Sequence, residues 1–171
     1  KEGMMGFDLY GINPQKDDVG DYFRANVWFW RPIWSFVCGS CDNILTERDI
    51  EAGSYNDGHK ISKTKSKRIA SKLRSLDKGG VIQVWEDDMN VFIEKSRKHN
   101  EKVKVKMDKI TKACHKKHGN GLVPIDYPEP YKTQWNDAQR EEEWGSHYPA
   151  SRDEIIRFAE FCEYSGGFEI C

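Results

Sequence analysis

The segment Tyr22–Trp34, YFRANVWFWRPIW, constrains the fold of this chain more than any other. Within thirteen residues it holds three of the six tryptophans, two phenylalanines, a tyrosine, two arginines and a proline. Aromatic side chains each bury a large area, so a cluster this dense seeds a core or builds a binding surface. Its periodicity supports two local structures. Phe23, Ala25, Val27 and Phe29 alternate with Arg24, Asn26, Trp28 and Trp30, a period of two in residues that favour strands. As a helix, the segment places Phe23, Val27, Trp30 and Trp34 on one side. Pro32 decides for an extended stretch to Trp30 and then a helix from Pro32 to about Cys41. Proline biases the residue before it away from helical angles and suits a helix start. Ile33, Trp34 and Val37 then face inward.

The flanking segments divide into short strands and long polar helices. Gly6–Gly11 alternates as a strand, and Phe168–Cys171 reads as a final one. A short helix begins at Thr46, with acidic residues in its first turn and Gly53 to stop it. Asn56-Asp57-Gly58 is a turn, after which Ser62 caps a basic helix with Ile69, Leu73 and Leu76 as its apolar stripe. Apolar residues at three- and four-residue steps from Val81 to His118 predict one long helix, or two broken near Asn100. Residues 119–150 show no clear period and read as an irregular loop. Ser151-x-x-Glu154 is a capping box that opens a helix to Tyr164, burying Ile155, Phe158, Ala159 and Cys162. Together these predict an α+β fold: a single, mostly helical domain over 1–171, with a small antiparallel sheet from the terminal strands and the aromatic segment.

Charge is strongly segregated along the chain. Residues 1–54 carry a net −4, residues 55–118 a net +10 and residues 119–171 a net −7. Such asymmetry predicts either a basic surface for an anionic partner or internal pairing between segments. The composition, 37% hydrophobic and 12% aromatic, suits a small aromatic-rich core rather than a disordered chain. No apolar run approaches the roughly 18 residues of a membrane helix. Five cysteines without a secretory signal predict a reducing, cytoplasmic setting.

Several side-chain patterns suggest chemistry. Cys38-Gly39-Ser40-Cys41 has the spacing with which two thiolates grip one zinc, and Cys162 with Cys171 would complete a four-cysteine site. Against this, Cys162 falls on the apolar side of its helix, where a free cysteine behaves as a small hydrophobe. Beyond that structural zinc, no cofactor is expected. Cys114, His115 and His118 share a helical turn, but in lysine-rich surroundings that repel a cation. Ser62 and Lys65 have the spacing of a serine nucleophile and its lysine base, although capping explains Ser62 better. The turn at Asp57 and His59 before a helix start suits an anion. Arg24, Trp28, Trp30 and Arg31 interleave cations with rings, as a surface that stacks bases or clamps a small ligand would. The competing account is a core strand whose arginines pair with carboxylates such as Asp8. Lys63, Lys65, Lys67, Arg68, Lys72 and Arg74, with Lys102, Lys104, Lys106 and Lys109, supply the charge that phosphate backbones attract.

Met5–Gly11, Tyr22–Trp34, Asn56–Ile61 and the FAEFCEYSGGFEIC ending at Phe158–Cys171 together resemble a group of uncharacterised bacterial and phage proteins. Those proteins share an MG(F/L)D(L/V)YG start, a YFR(N/A)NVWxWRP(L/I)W segment, an NDGH-like turn and an FxxFxxxSGGFxIC end. The likeness does not extend to the lysine-rich region, which predicts a charged helical insertion over 82–118. The group carries no established activity, so the resemblance implies no catalytic residues. It implies a phage or mobile-element origin and action by binding a host component.

The leading expectation is therefore a non-enzymatic binding or regulatory protein. It would engage nucleic acid or a nucleoprotein, such as a host defence complex inhibited in the anti-CRISPR manner, through the lysine-rich surface. The alternative is an enzyme or small-ligand protein with a pocket lined by Arg24, Trp28, Trp30, Arg31, Asp57 and His59.

Overall fold

Asn26 is where the aromatic segment turns from strand into helix in the computed structural model, which describes residues 6–171. Strand β2 (Tyr22–Asn26) ends there and helix α1 (Val27–Ser40) begins. The Asn26 side chain accepts hydrogen bonds from the backbone N–H groups of Trp28 and Phe29 at 3.0 and 3.1 Å, two donors that a helix start leaves open. The expected strand to Trp30 is thus too long, and Pro32 lies inside the helix rather than at its start. An interior proline costs about 3 kcal/mol through a lost backbone bond and steric clash. That cost is offset by burial along α1 of Trp30, Ile33, Trp34 and Val37, each worth about 1.5–3 kcal/mol.

Beside β2 lie β1 (Gly6–Gly11), β4 (Phe168–Ile170) and β3 (His59–Ile61), in the order β2-β1-β4-β3 with every pair antiparallel. The sheet contains the terminal strands and the aromatic segment as expected, and gains β3, whose three residues are too few to show a period. The register places Leu9 opposite both Phe23 and Ile170, and Ile61 opposite Phe168. These residues, with Phe7 and Ala25, are buried, while Tyr10, Tyr22, Arg24 and Lys60 on the opposite face are exposed. The alternation follows from the two-residue side-chain period of a strand.

Helices α2 (Glu47–Ala52), α3 (Lys63–Lys78) and α6 (Arg152–Tyr164) complete this core. α3 buries Ile69, Ala70 and Leu73, and α6 buries Ile155, Phe158, Ala159, Phe161 and Cys162. Ser66 Oγ donates to the Cys162 carbonyl at 2.6 Å, so the one hydroxyl buried on α3 is satisfied by α6. Trp30 is fully buried, stacked against Phe7 at 5.6 Å and Trp34 at 5.3 Å, with the edge of Phe158 at 5.6 Å. The indole N–H groups of Trp30 and Trp34 donate to the carbonyls of Gly53 and Ile50 at 2.9 and 3.0 Å. Two tryptophans thus satisfy carbonyls that the end of α2 leaves open.

The described residues divide into two compact units, one running to Asn90 and including Tyr148–Cys171, the other being Val91–His147. Helix α4 (Val81–His118) is a single helix, which decides between the two readings of that stretch. In the second unit Val103 and Cys114 of α4, Tyr127, and Ala138 of α5 (Tyr131–Arg140) are buried, and His118 of α4 meets the Tyr131 ring of α5 edge-on at 5.7 Å. The supposed irregular loop over 119–150 therefore contains a helix. Its apolar positions are so few that no period stands out. Polar bonds fix the segment after α5: Ser96 Oγ donates to Glu143 Oε2 at 2.8 Å, and Asn100 exchanges hydrogen bonds with the Glu143 backbone at 2.7 and 2.8 Å. Among the described residues no helix is long and apolar enough to cross a membrane.

A Cβ on Gly53 would lie 2.2 Å from the Trp34 ring, whereas one on the exposed helical Gly39 meets nothing within 4 Å. Gly53→Ala is expected to destabilise the protein by about 2 kcal/mol through overpacking. Gly39→Ala should stabilise it by about 0.5–1 kcal/mol. Urea unfolding of the two variants checks both signs.

Candidate functional site

Asp49 is a carboxylate that the fold buries, with only 4% of the residue exposed. It sits in the first turn of α2, where it forms a capping box with Thr46. The Asp49 backbone N–H donates to Thr46 Oγ1 at 3.2 Å, and the Thr46 backbone N–H donates to Asp49 Oδ2 at 2.8 Å. The Thr46 hydroxyl donates to the same oxygen at 2.8 Å. Lys65 Nζ, from α3, also donates to Oδ2. His59 Nε2–H, from β3, donates to Oδ1 at 2.9 Å. One carboxylate therefore ties α2, β3 and α3 together.

Burial alone would raise the pKa of Asp49. Hydrogen bonds from Lys65, the Thr46 backbone, His59 and the Thr46 hydroxyl outweigh it and hold the carboxyl well below its usual range. The ionised Asp49 in turn fixes His59. With Nε2–H committed, a neutral His59 presents Nδ1 as an acceptor, and no described residue hydrogen-bonds that nitrogen.

His59 lines a cavity of about 620 Å³ together with Arg48, Glu51, Tyr55, Asp57 and Lys60. Among the described residues Arg48, Glu51 and Asp57 make no ion pair, and Lys60 Nζ lies 3.7 Å from Glu169. Tyr55 is 58% exposed and lines a second cavity of about 350 Å³ with Trp30, Arg31, Trp34 and Cys38. Four of the six proposed ligand residues, Trp30, Arg31, Asp57 and His59, are thus gathered around the two sides of Tyr55. The other two are elsewhere. Arg24 pairs with Asp8 at 3.6 Å, as the competing core-strand account expects, and Trp28 packs on Tyr148 at 5.1 Å.

Arg48, Asp49, Glu51 and Tyr55 were not singled out by sequence. Asp49 shows there only as one of the acids in a helix's first turn. Its partners Lys65 and His59 are 16 and 10 residues away, so nothing local signals that it is buried and shared.

The proposed nucleic-acid residues fall into two sets, α3 in the first unit and Lys102–Lys109 in the second. On α3, Lys65 is held by Asp49, Arg74 by Glu163, and Arg68 donates to the Asn43 carbonyl at 3.3 Å. Lys63, Lys67 and Lys72 are exposed without an ion pair. On α4, Lys102, Lys106 and Lys109 belong to a row of exposed lysines, Lys95, Lys98, Lys102, Lys106, Lys109, Lys112 and Lys116, at three- and four-residue steps. That spacing places them on one helix face, opposite the buried Ser96, Val103 and Cys114. Within the row, among the described residues, only Lys98 and Lys106 have ion-pair partners, Glu94 at 3.5 Å and Glu141 at 2.5 Å. Lys104 leaves the row and lines a groove of about 700 Å³ with Met107, Tyr127 and Trp135.

The four cysteines proposed for zinc do not converge. Cys41 and Cys162 are buried in the core of the first unit, Cys38 is half-buried, and Cys171 hydrogen-bonds through its backbone to Asp8 at the sheet. No group of three or more candidate ligands comes together among the described residues. Burial pushes the Cys38 thiol up to about 12 and the Cys41 thiol up to about 11, which favours neutral thiols over thiolate ligands. Cys114, read with His115 and His118, is buried, while His115 bonds the Leu122 carbonyl at 2.9 Å. Ser62 caps α3 by accepting from the Lys65 backbone at 3.3 Å.

Replacing Asp49 by asparagine should cost about 2 kcal/mol at neutral pH, because Lys65 and His59 lose a charged acceptor. The depressed Asp49 pKa also sets a pH dependence. Its contribution is full above the unfolded aspartate value of about 3.9 and is lost as pH falls through the lower folded value. Urea unfolding from pH 5 downwards should therefore show a steeper loss of stability in the wild-type chain than in Asp49→Asn.

In comparison with known proteins, no family model, no curated protein and no solved structure matches the chain. Its functional reading rests on the geometry of these sites.

Proposed function

We propose that the protein is a binding protein that engages the phosphate backbone of a nucleic acid, free or within a nucleoprotein, through the lysine row of α4. The observation that carries this reading is the run from Lys95 to Lys116, seven exposed lysines on one helix face of which five have no ion-pair partner. At about 1.5 Å rise per residue the row is roughly 32 Å long, with a cation about every 5 Å. Double-stranded DNA presents one charge per roughly 1.7 Å of axis, so such a row meets several phosphates at once. Lysines act there as point charges, which favours backbone attraction over base reading. Elsewhere on α4 the basic side chain of Arg97 is neutralised locally by Glu94 and Glu101. A host nucleoprotein, including a defence complex, is the kind of partner that this chemistry and a phage origin would fit.

Binding of labelled 30-base-pair DNA should weaken linearly in log–log form with salt, at a slope near −4.5, about 0.9 for each of some five phosphates neutralised. Lys102→Glu with Lys109→Glu should flatten that slope by about 2 and lower affinity alike for unrelated sequences. Fluorescence anisotropy at 50 and 200 mM salt measures both, and absence of binding at the lower concentration overturns the proposal.

A further inference from the structure

The cavity around His59 has a composition that the lysine row does not explain. Its walls carry a cation without an ion pair, Arg48, two carboxylates without one, Glu51 and Asp57, and an exposed ring, Tyr55. At its edge the buried Asp49 engages His59 Nε2, so that a neutral His59 presents Nδ1 as an acceptor. Charged groups that serve the fold are paired here, as Asp49 is with Lys65 and Lys60 is with Glu169. Here three charged groups without an ion pair among the described residues line one cavity, and they combine both charge signs with an aromatic surface. A simple anion site would exclude the two carboxylates, and a simple cation site would exclude Arg48.

We propose that this cavity binds a ribonucleoside 5′-phosphate. Each part of that ligand meets a complementary group. The phosphate suits the Arg48 guanidinium, whose fork matches its oxygens, with Lys60 adding charge. The ribose hydroxyls are donors that Glu51 and Asp57 accept. The base has a face for Tyr55 and N–H groups for the His59 acceptor. The volume of about 620 Å³ accommodates a mononucleotide, within the roughly 300–1,000 Å³ common for small-molecule sites. This site belongs to the first unit, and the proposal is independent of the lysine row.

Isothermal titration with the four ribonucleoside 5′-monophosphates tests it, using the matching 2′-deoxy compounds, the nucleosides and inorganic phosphate as controls. At least one ribonucleotide should bind saturably, and losing the phosphate, the base with its sugar, or the 2′-hydroxyl should each weaken binding about tenfold. Arg48→Ala and Tyr55→Ala, both at exposed positions, should each weaken it about tenfold with unchanged circular dichroism. Lys102→Glu with Lys109→Glu should leave it unchanged. No saturable binding at millimolar concentration, inorganic phosphate binding as tightly as the nucleotides, or insensitivity to both single variants overturns the proposal.

Discussion

Burial of Trp30 is the constraint on which the first unit depends. Its ring is stacked between Phe7 of β1 and Trp34 of α1, meets the edge of Phe158 on α6, and gives its N–H to the carbonyl that follows α2. One side chain therefore sets the separation of a strand and three helices. The arrangement requires α1 to begin before Pro32, since Trp30 must already be helical to share a face with Ile33, Trp34 and Val37. Asn26 makes that early start favourable by capping it. Gly53 makes it possible for Trp34 to lie against the chain, because any larger residue would occupy the ring's space.

This dependence explains which parts of the fold were legible in sequence. Strands β1 and β4 alternate cleanly, α3 and α6 carry a cap and an apolar stripe, and all four match their patterns. The aromatic segment is ambiguous because its residues satisfy both periods, and local proline chemistry points the wrong way. Tertiary burial decided the matter there: the gain from several large side chains exceeds the roughly 3 kcal/mol that an interior proline costs. Strand β3 and helix α5 were illegible for the opposite reason. Each has too few buried positions of its own to show a period, and β3 takes its place from a partner distant in the chain.

The candidate site was half legible on the same grounds. Asp57 and His59 are marked by a turn motif, and Trp30 and Arg31 by the aromatic cluster, so sequence can nominate them separately. What brings them to either side of Tyr55 is the approach of α2 to α1, through Trp30 and Trp34, and to β3, through Asp49. A short helix with six residues carries both connections. The same carboxylate that anchors β3 also selects the tautomer of His59, so the polar chemistry of the cavity and the stability of the fold share one group. Arg24 and Trp28, six and two residues before Trp30, fall elsewhere because the strand-to-helix change at Asn26 redirects the chain between them.

The charge map divides in a similar way once partners are known. Part of the basic excess in residues 55–118 is structural: Lys65 holds Asp49, Arg74 holds Glu163, Lys60 lies by Glu169, and Lys106 pairs with Glu141. Three of those four acids come from the acidic C-terminal third, so the opposite charges of the two segments are partly a record of internal pairing. Apart from the buried Lys65–Asp49 pair, these exposed pairs contribute little stability, about 0–1 kcal/mol each, but all of them remove cations from the set available to an outside polyanion. Lysines at three- and four-residue steps that form no ion pair among the described residues are the remainder, and on α4 they are concentrated on one face. Like charges so placed disfavour the isolated helix slightly. Five of the seven lysines keep that repulsion without an ion pair among the described residues, which is the observation on which the proposed polyanion binding rests.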